Sequence, residues 1–225
     1  MILSHKKKFI FIHIFKTAGT SVSQVLLPYA RMVDRAAFEF RITRSLFGRI
    51  SGVFGWQDLG MEKFTGFKKH EVAYKLQEKL PQDIFENYYK FCFVRDPFDH
   101  LVSIYHYIGQ SPSHKYHAKA SALNFGEFVK WYVSQKPLRQ CDFILNKEGT
   151  ESLVDFFGKY ENLDEDMRTI AKRLELSYGS IPFANRSVNR TKTATIDYYD
   201  DCSAREVVSY FEKDFEVLGY KKELS

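Results

Sequence analysis

Ile10-Phe11-Ile12-His13-Ile14-Phe15-Lys16-Thr17-Ala18-Gly19-Thr20-Ser21 decides the fold of this chain. An apolar run breaks into a Lys-Thr-small-Gly-Thr-Ser turn and then into a helical pattern carried by Val22, Val25, Leu26 and Tyr29. A buried strand, a tight turn and a helix start, in that order, make a cradle for an oxyanion. The first N–H groups of the helix converge on one spot, the helix dipole favours negative charge there, and Lys16 adds a mobile full charge. A phosphate or sulfate group fits that spot, with Thr20 or Ser21 placed to cap the helix.

Working outward, residues 31–57 carry Arg31, Arg35, Arg41, Arg44 and Arg49, with Ile42, Leu46, Ile50 and Val53 at helical spacing. This reads as a basic amphipathic helix, either packed on the core along one face or free to dock an anionic acceptor or a membrane surface. Phe64–Lys69 reads as a short strand. Val72, Ala73, Leu76 and Leu80 form one helical face that stops before Pro81, with His70 at the junction between strand and helix. Tyr88–Val94 reads as a second buried parallel strand. It is followed by Asp96 as N-cap, Pro97 at the first helical position, and the stripe Leu101, Ile104, Tyr105 and Ile108. Residues 109–123 have no clear period and read as an exposed loop. Further on come a helix near Phe125–Val133, a strand over Leu153–Tyr160, helices near Asp164–Leu174 and Ala204–Phe215, and an irregular basic stretch over Asn185–Thr195. Strands alternating with helices predict an α/β domain of three layers, with a mostly parallel central sheet flanked by helices.

The chain has 225 residues, 44% of them hydrophobic, and no Pro/Gly/Ser-rich linker divides it, so residues 1–225 read as a single domain. A net charge of +5 spread along the chain favours an anionic small ligand over nucleic acid. Cys92, Cys141 and Cys202 lie far apart and form no CxxC pair, which fits reduced structural thiols and neither a disulfide framework nor a zinc site. The apolar run after Lys6-Lys7-Lys8 is too short for a signal peptide, and no segment approaches the roughly 20 apolar residues of a membrane span. The expected location is cytoplasmic, with peripheral membrane contact left open through the basic segment.

Two junctions from strand to helix therefore lie at the carboxyl edge of one sheet, where open α/β sheets bind ligands. One carries Lys16–Ser21, and the other carries Arg95-Asp96-Pro97 followed by Ser103. Two anion sites on one edge suit a ligand with two phosphate-type groups. Ile12–Ser21 resembles the His-Ile-Pro-Lys-Thr-Gly-Gly-Thr-Ser loop of the carbohydrate sulfotransferases, a family that includes heparan sulfate 2-O- and chondroitin 4-O-sulfotransferases. Val94-Arg95-Asp96-Pro97-Phe98-Asp99-His100-Leu101-Val102-Ser103-Ile104-Tyr105 is similar to the family's Val-Arg-Asn/Asp-Pro-x-x-Arg-x-x-Ser-x-Tyr segment. Tyr160–Leu163 and Asp214–Tyr220 resemble its C-terminal patterns.

The resemblance implies a P-loop-like sulfotransferase fold and transfer of a sulfuryl group from 3′-phosphoadenosine 5′-phosphosulfate (PAPS) to a carbohydrate or glycolipid hydroxyl, releasing PAP without a metal. It assigns the 5′ group of PAPS to Lys16, Thr17, Ala18, Gly19, Thr20 and Ser21, and the 3′-phosphate to Arg95 and Ser103. Lys16 is then the residue that stabilises charge on the bridging oxygen. His70 is the candidate general base, with Glu71 as the second choice. Three departures stand out. Phe15 replaces the family's Pro. Ala18 replaces its first Gly, which preserves the turn if residue 18 needs no positive φ. His100 replaces its second Arg, exchanging a permanent cation for a neutral or partly charged ring. The transmembrane anchor of Golgi members is not seen in this sequence, which suggests a soluble, bacterial-type member.

Bland readings stand beside these. His70 is otherwise an ordinary histidine at a helix start, Arg95 a surface ion-pair partner, and Ser103 a plain helix residue. His13 reads as a hydrogen-bonded core residue, and Tyr160 and Glu161 as support for the sheet edge. The basic stretch Asn185–Lys192 is either a solvated loop or a cover over the nucleotide. Two rival functions remain at this level: a P-loop-type nucleotide kinase, and a non-catalytic PAP- or polysaccharide-binding protein. Against the kinase, Gly-x-x-x-x-Gly-Lys-Ser/Thr is absent and Arg95 follows the strand where a Mg²⁺-binding Asp would be expected.

Overall fold

Side chains alternate faces along a strand, and two strands of this chain sort their residues by that rule. Phe9 and Phe11 of Phe9–Ile12 (β2) join Phe91 and Phe93 of Tyr89–Val94 (β3) in one buried cluster, while Ile10, Ile12, Cys92 and Val94 join another on the opposite face. Both faces are dry, as expected of parallel strands covered by helices on each side. The computed structural model describes residues 1–39, 65–181 and 194–224. Within them the sheet runs β1-β2-β3-β4, where β1 is Ile2–Ser4 and β4 is Phe156–Lys159. β1 is antiparallel to β2, and β2, β3 and β4 are parallel.

The first cluster is covered by Gly19–Leu26 (α1), through Val22 and Leu26, and by Leu163–Leu174, through Met167, Ile170 and Leu174. Ala73–Lys79 (α2) and Gln82–Asn87 (α3) cover the second through Ala73, Leu76 and Phe85. Pro97–Gly109 (α4) builds a third cluster with Phe125–Ser134, Asp201–Tyr210 and Glu212–Leu218, in which Leu101, Ile104, Ile108, Phe128, Val207 and Phe215 are buried. Truncating any of the fully buried rings, Phe91 for instance, costs about 3–5 kcal/mol. The three-layer α/β arrangement expected from the sequence is the one observed.

Several local expectations are corrected. Residues 65–69 form no strand: Gly66 takes φ 81°, and the Thr65 hydroxyl bridges the Phe67 backbone, which closes a turn. Phe64 itself, like residues 40–57 of the expected basic helix and the stretch 185–192, lies outside the described residues. Residues 32–39 are helical. The fourth strand is shorter than Leu153–Tyr160, and the expected loop 109–123 contains a helix, His117–Ala122, in which only Ala120 is buried. The expected helix over Ala204–Phe215 is two helices that meet at buried Phe211. Among the described residues, no helix is long and apolar enough to cross a membrane.

Register places three strand exits side by side. Ile12 is level with Cys92, and Val94 with Lys159. The segments His13–Ala18, Arg95–Asp96 and Tyr160–Glu161 therefore leave the sheet at one carboxyl rim.

Candidate active site

The loop from His13 to Ala18 is held by its carbonyls. His70 donates Nδ1–H to the His13 oxygen across 2.8 Å, and Thr17 donates its hydroxyl to Ile14 across 3.1 Å. His100 donates Nε2–H to Phe15 across 2.7 Å, and Arg95 approaches the Lys16 oxygen at 3.4 Å. A carbonyl only accepts, so each imidazole carries its proton on the nitrogen that faces the loop. Four consecutive carbonyls are thus engaged by side chains, one from the loop itself and the others from the turn at His70, the β3 exit and α4. Lys16 and Ala18 both take positive φ, 61° and 60°. The condition on which an alanine would preserve the turn without strain is therefore not met, and the family's glycine at this place has its physical reason.

α1 starts at Gly19 with Ala18 as N-cap and no side-chain cap, so Thr20 and Ser21 lie inside the first turn rather than capping it. No acid occupies that turn. Its N–H groups have no carbonyl to reach within the helix, which leaves them directed at the rim. Glycine at position 19 is dictated by contact: a Cβ there would lie 2.0 Å from the His13 ring. His13 is buried, as expected.

Lys16 is half-buried, and its Nζ sits over the Tyr107 ring at 4.6 Å. Burial, with the charges of Arg95 and Lys69 adding to it, lowers its pKa to about 8. A cation so destabilised gains more than an exposed lysine when an anion arrives.

Arg95 is buried at the exit of β3. Its Nε and Nη2 lie 2.7 and 2.6 Å from Asp99 Oδ2, and its guanidinium stacks on Tyr160 with Cζ 4.0 Å from the ring centre. The Gln140 side chain pairs with both the N–H and the carbonyl of Arg95, at 2.9 and 2.7 Å, as a neighbouring strand would. Gln140 is placed in turn by Asp214, a fully buried carboxylate that accepts from the N–H groups of Gln140 and Cys141. Asp96 caps α4 by accepting from Phe98 and Asp99, as expected. Glu161 accepts from the Asp96 N–H and from the Tyr220 hydroxyl, the edge-supporting role read from the sequence, whereas Tyr160 lies against the Arg95 guanidinium.

His100 is neutral. Burial, with the nearby charges of Arg95 and Lys16, lowers its pKa to about 4 despite the opposing hydrogen bond to Phe15. In place of a second cation the chain has a clamp between α4 and the loop. The Nδ1–H bond of His70 leaves its Nε2 as the basic nitrogen, and its ring packs edge-on against His13 and Phe15. Glu71 is corrected as a candidate base. Although burial alone would raise its pKa, a 2.7 Å contact to Lys79 and the Lys68 N–H outweigh that and hold it below its usual value. A carboxylate already paired with a lysine and held below its usual pKa is a poor proton acceptor.

The structure thus brings Lys16, Thr17, Ala18, Gly19, Thr20, Ser21, His70 and Arg95 to one rim. Ser103 is buried on α4, seven residues beyond Asp96 and on the same helix face. Tyr107, Asp99, Gln140 and Asp214 were not singled out from sequence. Only Asp99 carried a local signal, its spacing of four from Arg95.

Residues 1–221 match the sequence model of the Sulfotransferase family. The chain belongs to that family. Among relatives of this sulfotransferase-family chain, an uncharacterized protein of Archaeoglobus fulgidus is 32% identical over 104 residues, 46% of this chain and 82% of the relative. Carbohydrate sulfotransferase 11 of Rattus norvegicus is 26% identical over 167 residues, 60% of this chain and 47% of the relative. Carbohydrate sulfotransferase 10 of Homo sapiens is 24% identical over 200 residues, 72% of this chain and 53% of the relative. The chain spans about half the length of these two carbohydrate sulfotransferases. Among the described residues of this family member, no group of three or more His, Cys, Asp and Glu is placed to hold a metal.

Proposed function

We propose that residues 1–225 form one sulfotransferase domain that moves a sulfuryl group from PAPS to a carbohydrate hydroxyl and releases PAP. The observation that carries this reading is the convergence of two cation-bearing strand exits, with Arg95 Nη1 3.4 Å from the Lys16 carbonyl, beside a helix start without acids. The residues of this rim suit the donor: the first turn of α1 would offer N–H groups to its 5′ phosphate, Lys16 would supply charge to the leaving oxygen, and Arg95 with Ser103 would hold the 3′-phosphate. When bound, PAPS supplies an activated sulfuryl group. Lys16 places its charge where the leaving oxygen becomes negative, which lowers the barrier more than it tightens binding. His70 Nε2 takes the proton of the acceptor hydroxyl, while the His13 carbonyl holds Nδ1–H and keeps the ring in the tautomer whose lone pair is on Nε2. The unpaired Cys92, Cys141 and Cys202 suit a reducing compartment, the cytoplasm.

The test is twofold. Isothermal titration of the wild type should show PAP preferred over 5′-AMP by roughly 10²-fold or more, a preference lost in Arg95→Ala, since each charge-assisted hydrogen bond to the 3′-phosphate is worth about 1.5–3 kcal/mol. Labelled PAPS screened over saccharide and glycolipid acceptors should then show transfer that His70→Ala reduces by about 10²–10⁴-fold, with PAP affinity kept. Equal affinity for PAP and 5′-AMP, or a preference for ATP that needs Mg²⁺, would sink the reading in favour of a kinase. Tight PAP binding with no transfer to any acceptor would leave a binding protein.

A further inference from the structure

We propose that Asp99 fixes the guanidinium of Arg95 in the orientation that reads a phosphate monoester, and so sets how strongly the chain prefers a nucleotide carrying a 3′-phosphate. The inference rests on the reading of Arg95 given above.

Asp99 Oδ2 takes both Nε and Nη2 of Arg95, at 2.7 and 2.6 Å, with the two side chains 10% and 19% exposed. A pair this well covered is screened little by water and holds one geometry. Tyr160 covers one face of the guanidinium, and the Lys16 carbonyl lies against Nη1. Of five N–H donors on an arginine, these contacts use Nε–H, one hydrogen of Nη2 and one of Nη1. One N–H on each terminal nitrogen is left by count, a pair spaced to chelate two oxygens of a phosphate.

Asp99 is itself held from two sides. Its N–H donates to Asp96 Oδ1 at 3.1 Å, at the third position of α4, and its Oδ1 accepts from the Thr195 hydroxyl at 2.8 Å. The carboxylate is therefore a fixed post rather than a mobile counter-ion. A free arginine side chain loses rotamer entropy when it binds, and a fixed post removes that cost before the ligand arrives. Asp99 touches neither donor nor acceptor in this account. It is a positioning residue.

The experiment is titration of PAP and 5′-AMP into the wild type, Asp99→Asn and Thr195→Val, with thermal unfolding of each. Asp99→Asn should lower PAP affinity about tenfold and leave 5′-AMP affinity unchanged, a split that general loosening of the fold would not produce. Thr195→Val, which keeps the charge but removes one tether, should shift PAP affinity in the same direction by a smaller factor. A PAP preference that stays intact or grows in Asp99→Asn overturns the proposal and makes the carboxylate a competitor that the 3′-phosphate must displace. Should Asp99→Asn fail to fold, an unchanged preference in Thr195→Val overturns it equally. If the wild type itself fails to distinguish PAP from 5′-AMP, the reading of Arg95 falls, and this inference falls with it.

Discussion

His100 on α4 donates Nε2–H to the Phe15 carbonyl across 2.7 Å, and this bond ties the helix that follows β3 to the loop that follows β2. Where the family motif has arginine, this chain has a neutral ring whose function is mechanical. Its neutrality predicts how stability responds to acid. The folded pKa of about 4 lies below the ordinary 6.5. Above pH 6.5 the ring is neutral in both states, and the shift contributes nothing. As pH falls from 6.5 to 4 the unfolded chain binds a proton that the native ring refuses, so stability is lost over that window, by roughly 3 kcal/mol at its lower end. His100→Gln, which can still donate to Phe15 but does not titrate, should lose less stability between pH 6.5 and 4 than the wild type in thermal unfolding. Parallel curves for the two proteins would show that His100 is charged or solvated in the fold.

The turn itself stores strain at Ala18. An alanine at φ 60° sits in a region that disfavours a Cβ by about 1–2 kcal/mol, while the added freedom of glycine in the unfolded chain costs about 0.4–1 kcal/mol. Ala18→Gly should therefore stabilise the protein slightly, by about 0.5–1 kcal/mol. Gly19→Ala should destabilise it by about 1–3 kcal/mol or more, because the new methyl meets the buried His13 ring. Chemical denaturation of both variants checks the opposite signs at adjacent residues.

What the sequence disclosed follows from the range of the forces involved. Strand β3, the Asp96-Pro97 start of α4 and the turn at Lys16–Gly19 are written in neighbouring residues, through periodicity and cap chemistry, and were legible. The positive φ of Ala18 was not legible, because a left-handed φ leaves no trace in an alanine, whereas a glycine would have announced it. Gln140 meets the β3 exit across 45 residues and is itself held by Asp214 across 74, and no local pattern encodes such pairing. Glu71 looked like a spare base because its spacing from His70 was visible and its tether to Lys79, one helix face away, was not. The short helix His117–Ala122 buries a single alanine and so had no stripe to read.

Lys16 supplies the most direct check on the electrostatics of the rim. With a pKa of about 8, the lysine is about half charged at pH 8, and the negative charge of a bound nucleotide favours its charged form. PAP binding at pH 8 should therefore take up as much as about half a proton, and at pH 6.5 almost none, because the lysine is already charged there. The sign follows from the order of the two values: the free-state pKa is the lower one, so affinity declines as pH rises through 8. Titration calorimetry in buffers of different ionisation enthalpy reads the proton count. Lys16→Met should abolish the uptake at pH 8. In the transfer assay Lys16→Met should lower kcat by roughly 10²–10³-fold, the scale of a lost oxyanion donor, with a smaller loss of PAP affinity, because the charge that Lys16 meets is largest in the transition state. Equal losses in turnover and PAP affinity would make Lys16 a binding residue alone, and undiminished proton uptake in Lys16→Met would place the titrating group elsewhere on the rim.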